Sequence, residues 1–231
     1  MSTLQIQHIF FDLDRTLWDF DKNSSKTLLH LFEEHNLQGI GFSDFEEFHT
    51  IYKAKNDICW ELYRENRMTK ESMRSKRFKM ALQEVGYESN SLAKKLGEEY
   101  VSLSPVQTNL IEGTHEILEY LSPNYRLHII TNGFEEIQSI KLKACKIDHY
   151  FEQIITSERA GFKKPQEGIF RYACNLSKAR PFESVMIGDD LEIDALGAER
   201  FGMMGIHFNP YTTNPNMPKE ISKLEQLKDI L

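Results

Sequence analysis

From about residue 105 onward, short apolar runs alternate with helical stretches, and this alternation restricts the fold more than any other feature of the chain. Leu127–Ile130, Ile154-Ile155, Val185–Ile187 and Met204–Phe208 have the length and apolar content of buried strands. Helices are expected before and between them: one capped by Thr114 and running to Leu121, one from about Glu135, one over Gln166–Asn175 and one over Ile193–Phe201. Strands buried on both faces and joined through helices argue for a mainly parallel sheet covered on both sides. One more such strand, Ile6–Phe11, stands near the N-terminus and stops abruptly at Asp12.

Between about Asp21 and Ser104 the pattern is helical, with no convincing strand. Leu28, Leu29, Leu31 and Phe32 mark one apolar face. Ser43-Asp44-Phe45-Glu46 reads as a capping box opening a second helix, followed by Phe48, Ile51 and Tyr52. Thr69 is the expected N-cap of a third, which carries Met73, Phe78 and Leu82 toward Gly86; Leu92, Leu96 and Tyr100 suggest a fourth. The economical architecture is a doubly wound, Rossmann-like α/β core, residues 1–17 and 105–231, split by a helical insertion at 18–104 of roughly ninety residues. Asn209–Lys219, rich in proline and asparagine, is expected to be a loop.

Composition removes several classes of function. A formal charge of −7 argues against affinity for nucleic acid polymers or anionic membranes, while leaving room for a small phosphorylated substrate in a locally positive pocket. No apolar run approaches the ~20 residues a spanning helix needs. The stretch before Ile9-Phe10-Phe11 lacks a basic flank and a cleavage site, so a cytoplasmic protein is expected. Cys59, Cys145 and Cys174, odd in number and far apart, suit buried thiols.

Polar residues of the core collect where strands end. Asp12 and Asp14 follow the first, Thr131-Asn132-Gly133 the second, Lys163-Lys164-Pro165 come shortly after the third, and Asp189-Asp190 follow the fourth. Carboxyl ends of parallel strands line the crevice in which such sheets bind ligands. Clustered aspartates call for a hard divalent cation held through oxygen, such as Mg²⁺. One carboxylate can then attack phosphorus, and a second, two residues on and on the same strand face, is placed to move protons. A hydroxyl, backbone amides and a lysine suit the oxygens of a transferring phosphoryl group.

Asp12-Leu13-Asp14-Arg15-Thr16, Thr131-Asn132, Lys164-Pro165 and Gly188-Asp189-Asp190 with Asp194 together resemble the four ordered motifs of the haloacid dehalogenase superfamily, and the insertion resembles that family's helical cap. Phe10-Phe11-Asp12, Thr131-Asn132-Gly133-Phe134 and Gly161 through Lys164-Pro165 to Ile169-Phe170 are most similar to its bacterial pyrimidine 5′-nucleotidase branch. The resemblance implies a Mg²⁺-dependent phosphatase acting on nucleoside monophosphates. Asp12 would be the nucleophile, Asp14 the general acid/base and, through its main-chain carbonyl, a metal ligand, and Asp189 a further ligand. Thr131 and the amide of Asn132 would hold the phosphate, and Lys164 would offset charge on Asp12. Asp194 or Asp190 would be an additional ligand or would sit behind the ligands, with Asp190 alternatively a plain helix N-cap. Arg15 departs from the glycine most common there.

Trp18, Phe20, Asn56, Trp60, Tyr63 and Arg77 are candidates for choosing the substrate. The alternative is that the aromatics are core of a small bundle and Arg77 a surface charge. Lys163 reads as surface. A sugar phosphate or phosphoglycolate is the rival substrate. A dehalogenase, which typically lacks the second aspartate, is disfavoured by Asp14 and Asp189. A non-catalytic binding module on the same fold is disfavoured because every essential group is present.

Overall fold

The structure, a computed structural model, describes residues 5–211 and 219–231. In chain order the main elements are β1 (His8–Phe11), α1 (Phe20–Glu34), α2 (Phe45–Arg64), α3 (Lys70–Glu84), α4 (Asn90–Leu103), α5 (Thr114–Leu121), β2 (Arg126–Thr131), α6 (Glu135–Ala144), β3 (Phe151–Thr156), α7 (Ser157–Ala160), α8 (Glu167–Ser177), β4 (Ser184–Gly188), α9 (Leu196–Phe201), β5 (Met204–Phe208) and β6 (Glu220–Ile221). They form two compact units: Met1–Phe20 with Thr108–Leu231, and Asp21–Gln107.

In the first unit every strand pair is parallel, in the order β3-β2-β1-β4-β5-β6. The core follows from alternation along β1. Ile9 and Phe11 pack on one face with Leu127, Ile129, Val185 and Ile187 against α5 and α6. Phe10 points to the other face, with Ile130 and Met186, against α8 and α9. The strand order reverses between β1 and β4, which is the switch point where a crevice opens at the strands' carboxyl ends.

Several local expectations shift. Thr114 is the first helical residue of α5 rather than its cap, which is Gly113 at φ +82°; the Thr114 hydroxyl instead donates to the carbonyls of Leu17 and Ile111. The helix expected over Ile193–Phe201 begins with a π-turn at Leu191–Ala195. β6, too short to leave a pattern, was not foreseen. Of the expected loop Asn209–Lys219, residues 212–218 lie outside the described residues.

The second unit is a bundle of α1 to α4 around Leu28, Leu31, Phe32, Phe48, Tyr52, Phe78, Leu96 and Tyr100. Leu29, expected on that face, is exposed. The cap of α2 is one residue later than the sequence suggested: Asp44 accepts from the Glu47 N–H, and Glu47 reaches back to the backbone and hydroxyl of Ser43. Thr69 caps α3 as expected. Gly97 lets α4 approach α3 closely, since a Cβ there would lie 2.5 Å from the Arg74 carbonyl oxygen.

A histidine pair is built into the sheet. His128, wholly buried, stacks on Phe10 and on His8, whose Nδ1 lies 3.1 Å from His128 Nε2. Burial first, and then the charge of His8, push His128 down to about 4. Burial, with Arg126, also lowers His8. Between the ordinary histidine value and that folded value, the unfolded chain binds a proton that the native chain refuses. This contribution is therefore intact above about pH 6.5 and is lost as pH falls toward 4. From pH 6.5 to 5 the loss is expected to be roughly 2 kcal/mol. Urea unfolding of wild type and His128→Leu at both pH values measures it, and an equal pH dependence in the two proteins would refute it. The wild-type-minus-variant difference is the readout, because carboxylates raised by burial act in the opposite direction.

Candidate active site

Asp12 leaves the end of β1 with its N–H bonded to the Ile187 carbonyl of β4, so its side chain stands at the switch point. The carboxylate is buried. Lys164 reaches it from the loop after α7: Nζ lies 2.5 Å from Asp12 Oδ1 and 2.7 Å from Asp194 Oδ1, and donates to the Ile130 carbonyl at 2.9 Å. Asn132 fixes the Lys164 backbone, accepting from its N–H at 2.8 Å and donating to its carbonyl at 3.1 Å. The Lys164–Pro165 peptide bond is cis. Thr131 Oγ1 accepts from the Gly133 N–H, which orients the hydroxyl beside the same cluster of strand ends.

Asp189 follows β4, and Asp194 arrives from the π-turn five residues later. Carboxylate oxygens of Asp12, Asp189 and Asp194 all lie within 4.8 Å of one another. Gly188 makes room for this, since a Cβ there would stand 2.2 Å from Asp194 Oδ2. Asp190 is exposed, and its side chain accepts from the N–H groups of Glu192 and Ile193. It is the N-cap of the turn, one of the two readings its sequence position leaves open, and is not a member of the carboxylate cluster.

One ammonium faces three carboxylates here, so the cluster is short of positive charge. Burial raises Asp12 to about 7 against the pull of Lys164, with Asp194 and Asp14 adding to the rise. Burial and then Asp12 and Asp194 raise Asp189 to about 8. Burial works to depress the Lys164 ammonium, but Asp12 and Asp194 outweigh it and raise it above the ordinary lysine value. Asp194 is buried, with Oδ1 against the Lys164 ammonium and Oδ2 accepting from the Asp190 N–H at 3.2 Å. An all-oxygen donor set whose three carboxylates face one ammonium fits a hard divalent cation.

Asp14 lies outside this cluster. Its Oδ1 accepts from Lys141 Nζ of α6 at 2.5 Å, and that ammonium sits 4.1 Å from the centroid of the Trp18 ring. Arg15 adopts φ +64°, the left-handed region where glycine costs least, which accounts physically for the usual glycine there. Its guanidinium covers the Phe20 ring. Trp18 is wholly buried in the core of the α/β unit, and Phe20 packs against that core. Both stand in the stretch expected to be the insertion, as candidates for the substrate or as core of its bundle. Trp18 is instead structural, because its indole is enclosed on all sides.

In the helical unit, Asn56 and Arg77 are buried together, and Arg77 donates to Asn56 Oδ1 at 3.0 Å. Arg77 is not a surface charge: its guanidinium lies 4.5 Å from the Tyr100 ring centroid and near Tyr52 and Phe78. Tyr63 is buried and meets half-buried Trp60 edge to face. Two contacts escaped the sequence reading. One is Lys141 on Asp14. The other is His207, which bridges Glu220, 2.8 Å from Nδ1, and the Asp189 carbonyl, 3.1 Å from Nε2. Neither belongs to a recognisable string, and both depend on pairing across the fold.

The sequence model of haloacid dehalogenase-like hydrolases matches residues 9–207. The HAD-hydrolase YfnB of Bacillus subtilis is 30% identical over 229 residues, 96% of this chain and 94% of that protein. Its crystal structure, bound to magnesium and described as revealing interdomain movement, aligns with a TM-score of 0.88 over 98% of this chain and 99% of that one. The pyrimidine 5′-nucleotidase YjjG of Escherichia coli is 29% identical, covering 88% of this chain and 86% of its own. The human N-acylneuraminate-9-phosphatase is 28% identical, covering 88% and 82%. With the four strand-end motifs gathered on one parallel sheet and the match spanning nearly all of it, the chain belongs to the haloacid dehalogenase-like hydrolase family.

Proposed function

We propose that this hydrolase removes phosphate from nucleoside 5′-monophosphates in a Mg²⁺-dependent reaction through an aspartyl-phosphate on Asp12. The carrying observation is the buried Asp12 carboxylate, packed with Asp189, Asp194 and Lys164 at the sheet's switch point. Asp12, Asp189, the Asp14 main-chain carbonyl and Asp194, as ligand or directly behind the ligands, would hold Mg²⁺. When bound, the cation supplies positive charge that lets Asp12 ionise near a phosphate dianion and draws electron density from the phosphoryl oxygens.

Asp12 attacks phosphorus, and the P–O ester bond breaks with its electron pair going to the leaving oxygen. Asp14 delivers a proton to that oxygen and the alcohol departs. Water then attacks the same phosphorus, Asp14 takes up its proton, and the Asp12 carboxylate is regenerated as phosphate leaves. Thr131, the Asn132 amide and Lys164 neutralise the phosphoryl oxygens throughout. The helical unit serves as a cap, with Trp60 and Tyr63 as its candidates for choosing the leaving group, while Asn56 and Arg77, buried and bonded to each other, hold the bundle together.

The nucleotide reading is supported by YjjG and by PynA of Streptococcus pneumoniae, both named pyrimidine 5′-nucleotidases. A sugar phosphate is the second reading, favoured by the similarity to N-acylneuraminate-9-phosphatase. Phosphate release from uridine, deoxyuridine and thymidine monophosphates, hexose phosphates, a sialic acid phosphate and phosphoglycolate separates them. Turnover is expected to be highest on the pyrimidine nucleotides and abolished by excess chelator. Preference for another ester would retain the chemistry and discard the substrate, and chelator-resistant turnover would discard the metal.

A further inference from the structure

Lys141 is a buried ammonium that the proposed chemistry leaves unused. Lysine is rarely buried without a partner, because its charge loses hydration that something must replace. Here two groups replace it: Asp14 Oδ1 at 2.5 Å on one side and the Trp18 ring at 4.1 Å on another. Lys164 occupies a separate place, between Asp12 and Asp194, so each carboxylate of the Asp12-x-Asp14 pair has an ammonium of its own.

The surroundings make the contact rigid. The Leu13–Trp18 turn is closed by the Trp18 N–H on the Leu13 carbonyl and the Arg15 N–H on the Trp18 carbonyl, both 2.8 Å. That closure carries the indole over the ammonium. α6 starts two residues after Gly133, so the segment that presents Thr131 also carries Lys141. A substrate phosphate at Thr131 and the Asp14 carboxylate are thus referenced to one element.

We propose that Lys141 is a positioning residue for Asp14: its ammonium holds one carboxylate oxygen so that the other is presented to the leaving oxygen of the ester. This rests on the phosphatase reading above. Lys141 touches neither substrate nor phosphorus, and acts through the direction in which Asp14 offers its proton. The consequence is selective. An alkoxide cannot depart without a proton, whereas p-nitrophenolate can, so only esters of poor leaving groups depend on how Asp14 is held.

The experiment compares kcat/KM, which reports the steps through aspartyl-phosphate formation, for wild type, Lys141→Met and Lys141→Arg. The esters are p-nitrophenyl phosphate, phenyl phosphate and a nucleoside 5′-monophosphate. Lys141→Met is expected to lose on the order of 10²-fold on the alkyl ester and less than about 10-fold on p-nitrophenyl phosphate. Lys141→Arg is expected to recover part of the alkyl-ester loss. Circular dichroism verifies folding, and Lys141→Gln replaces the Met variant if that does not fold, with the same expected ester dependence. An equal fall on all three esters assigns Lys141 a merely structural role and overturns the proposal, as does no fall at all. A wild-type enzyme inactive on every ester overturns the phosphatase reading and this inference with it; an active wild type with an unselective variant overturns this inference alone.

Discussion

Asp12→Asn is expected to reduce phosphate release by on the order of 10⁴-fold or more while leaving the protein folded. The amide has the size of the carboxylate but no anionic oxygen with which to attack phosphorus, so no acyl phosphate forms. Folding should not suffer. Asp12 is a carboxylate that burial raises to about 7, crowded by Asp194 and Asp14, and a neutral amide relieves that crowding. Lys164 keeps Asp194 as a partner. Acid-quenched wild type should carry phosphate on the peptide containing Asp12, and the variant should carry none. Wild-type turnover in the variant would place the nucleophile elsewhere.

Lys164→Met should damage both stability and activity. Methionine nearly matches the length of the lysine stem, so little packing is lost, but Asp12 and Asp194 are left as buried carboxylates without their cation. Breaking one side of a buried ion pair typically costs about 3–5 kcal/mol. For a chain of this size that corresponds to a melting point lower by about 10 °C. The loss should be smaller at pH 6 than at pH 8. Asp12 and Asp189, already raised to about 7 and 8, take up protons as the pH falls and shed the charge that has lost its partner. A melting point unchanged at pH 8 would mean that Lys164 does not neutralise the cluster.

The parts of this site that the sequence disclosed are those written as local strings. An apolar run cut off by Asp12, or Gly188 followed by Asp189, announces a buried strand and its functional end together, because strand end and ligand crevice coincide in a parallel sheet. Lys141 carries no such mark. A lysine in the last turn of a helix is expected anyway, facing the negative end of the helix dipole. Its meaning depends on a turn more than a hundred residues earlier in the chain. The burial of Arg77 was hidden for a related reason. Charged residues on a helix are nearly always solvated, and only its pairing with Asn56 among Tyr52, Phe78 and Tyr100 shows that this one is enclosed. Asp190 and Asp194 were indistinguishable by spacing. The π-turn separated them, turning one outward to cap and the other inward to the carboxylates.

The Leu17–Asp19 and Asn109–Ile111 segments lie side by side. The Ile111 N–H meets the Leu17 carbonyl at 2.9 Å, Trp18 bridges antiparallel to Leu110, and the Asp19 N–H meets the Asn109 carbonyl at 3.1 Å. The chain thus leaves the α/β unit and returns to it through a stem that is tied by its own backbone. In evolutionary terms this makes everything beyond the stem a cassette. Because the two ends are already closed against each other, descendants are free to lengthen, shorten or exchange the inserted segment without re-pairing a strand of the sheet. Change in the inserted segment is thereby uncoupled from the strand ends that carry Asp12, Thr131 and Asp189.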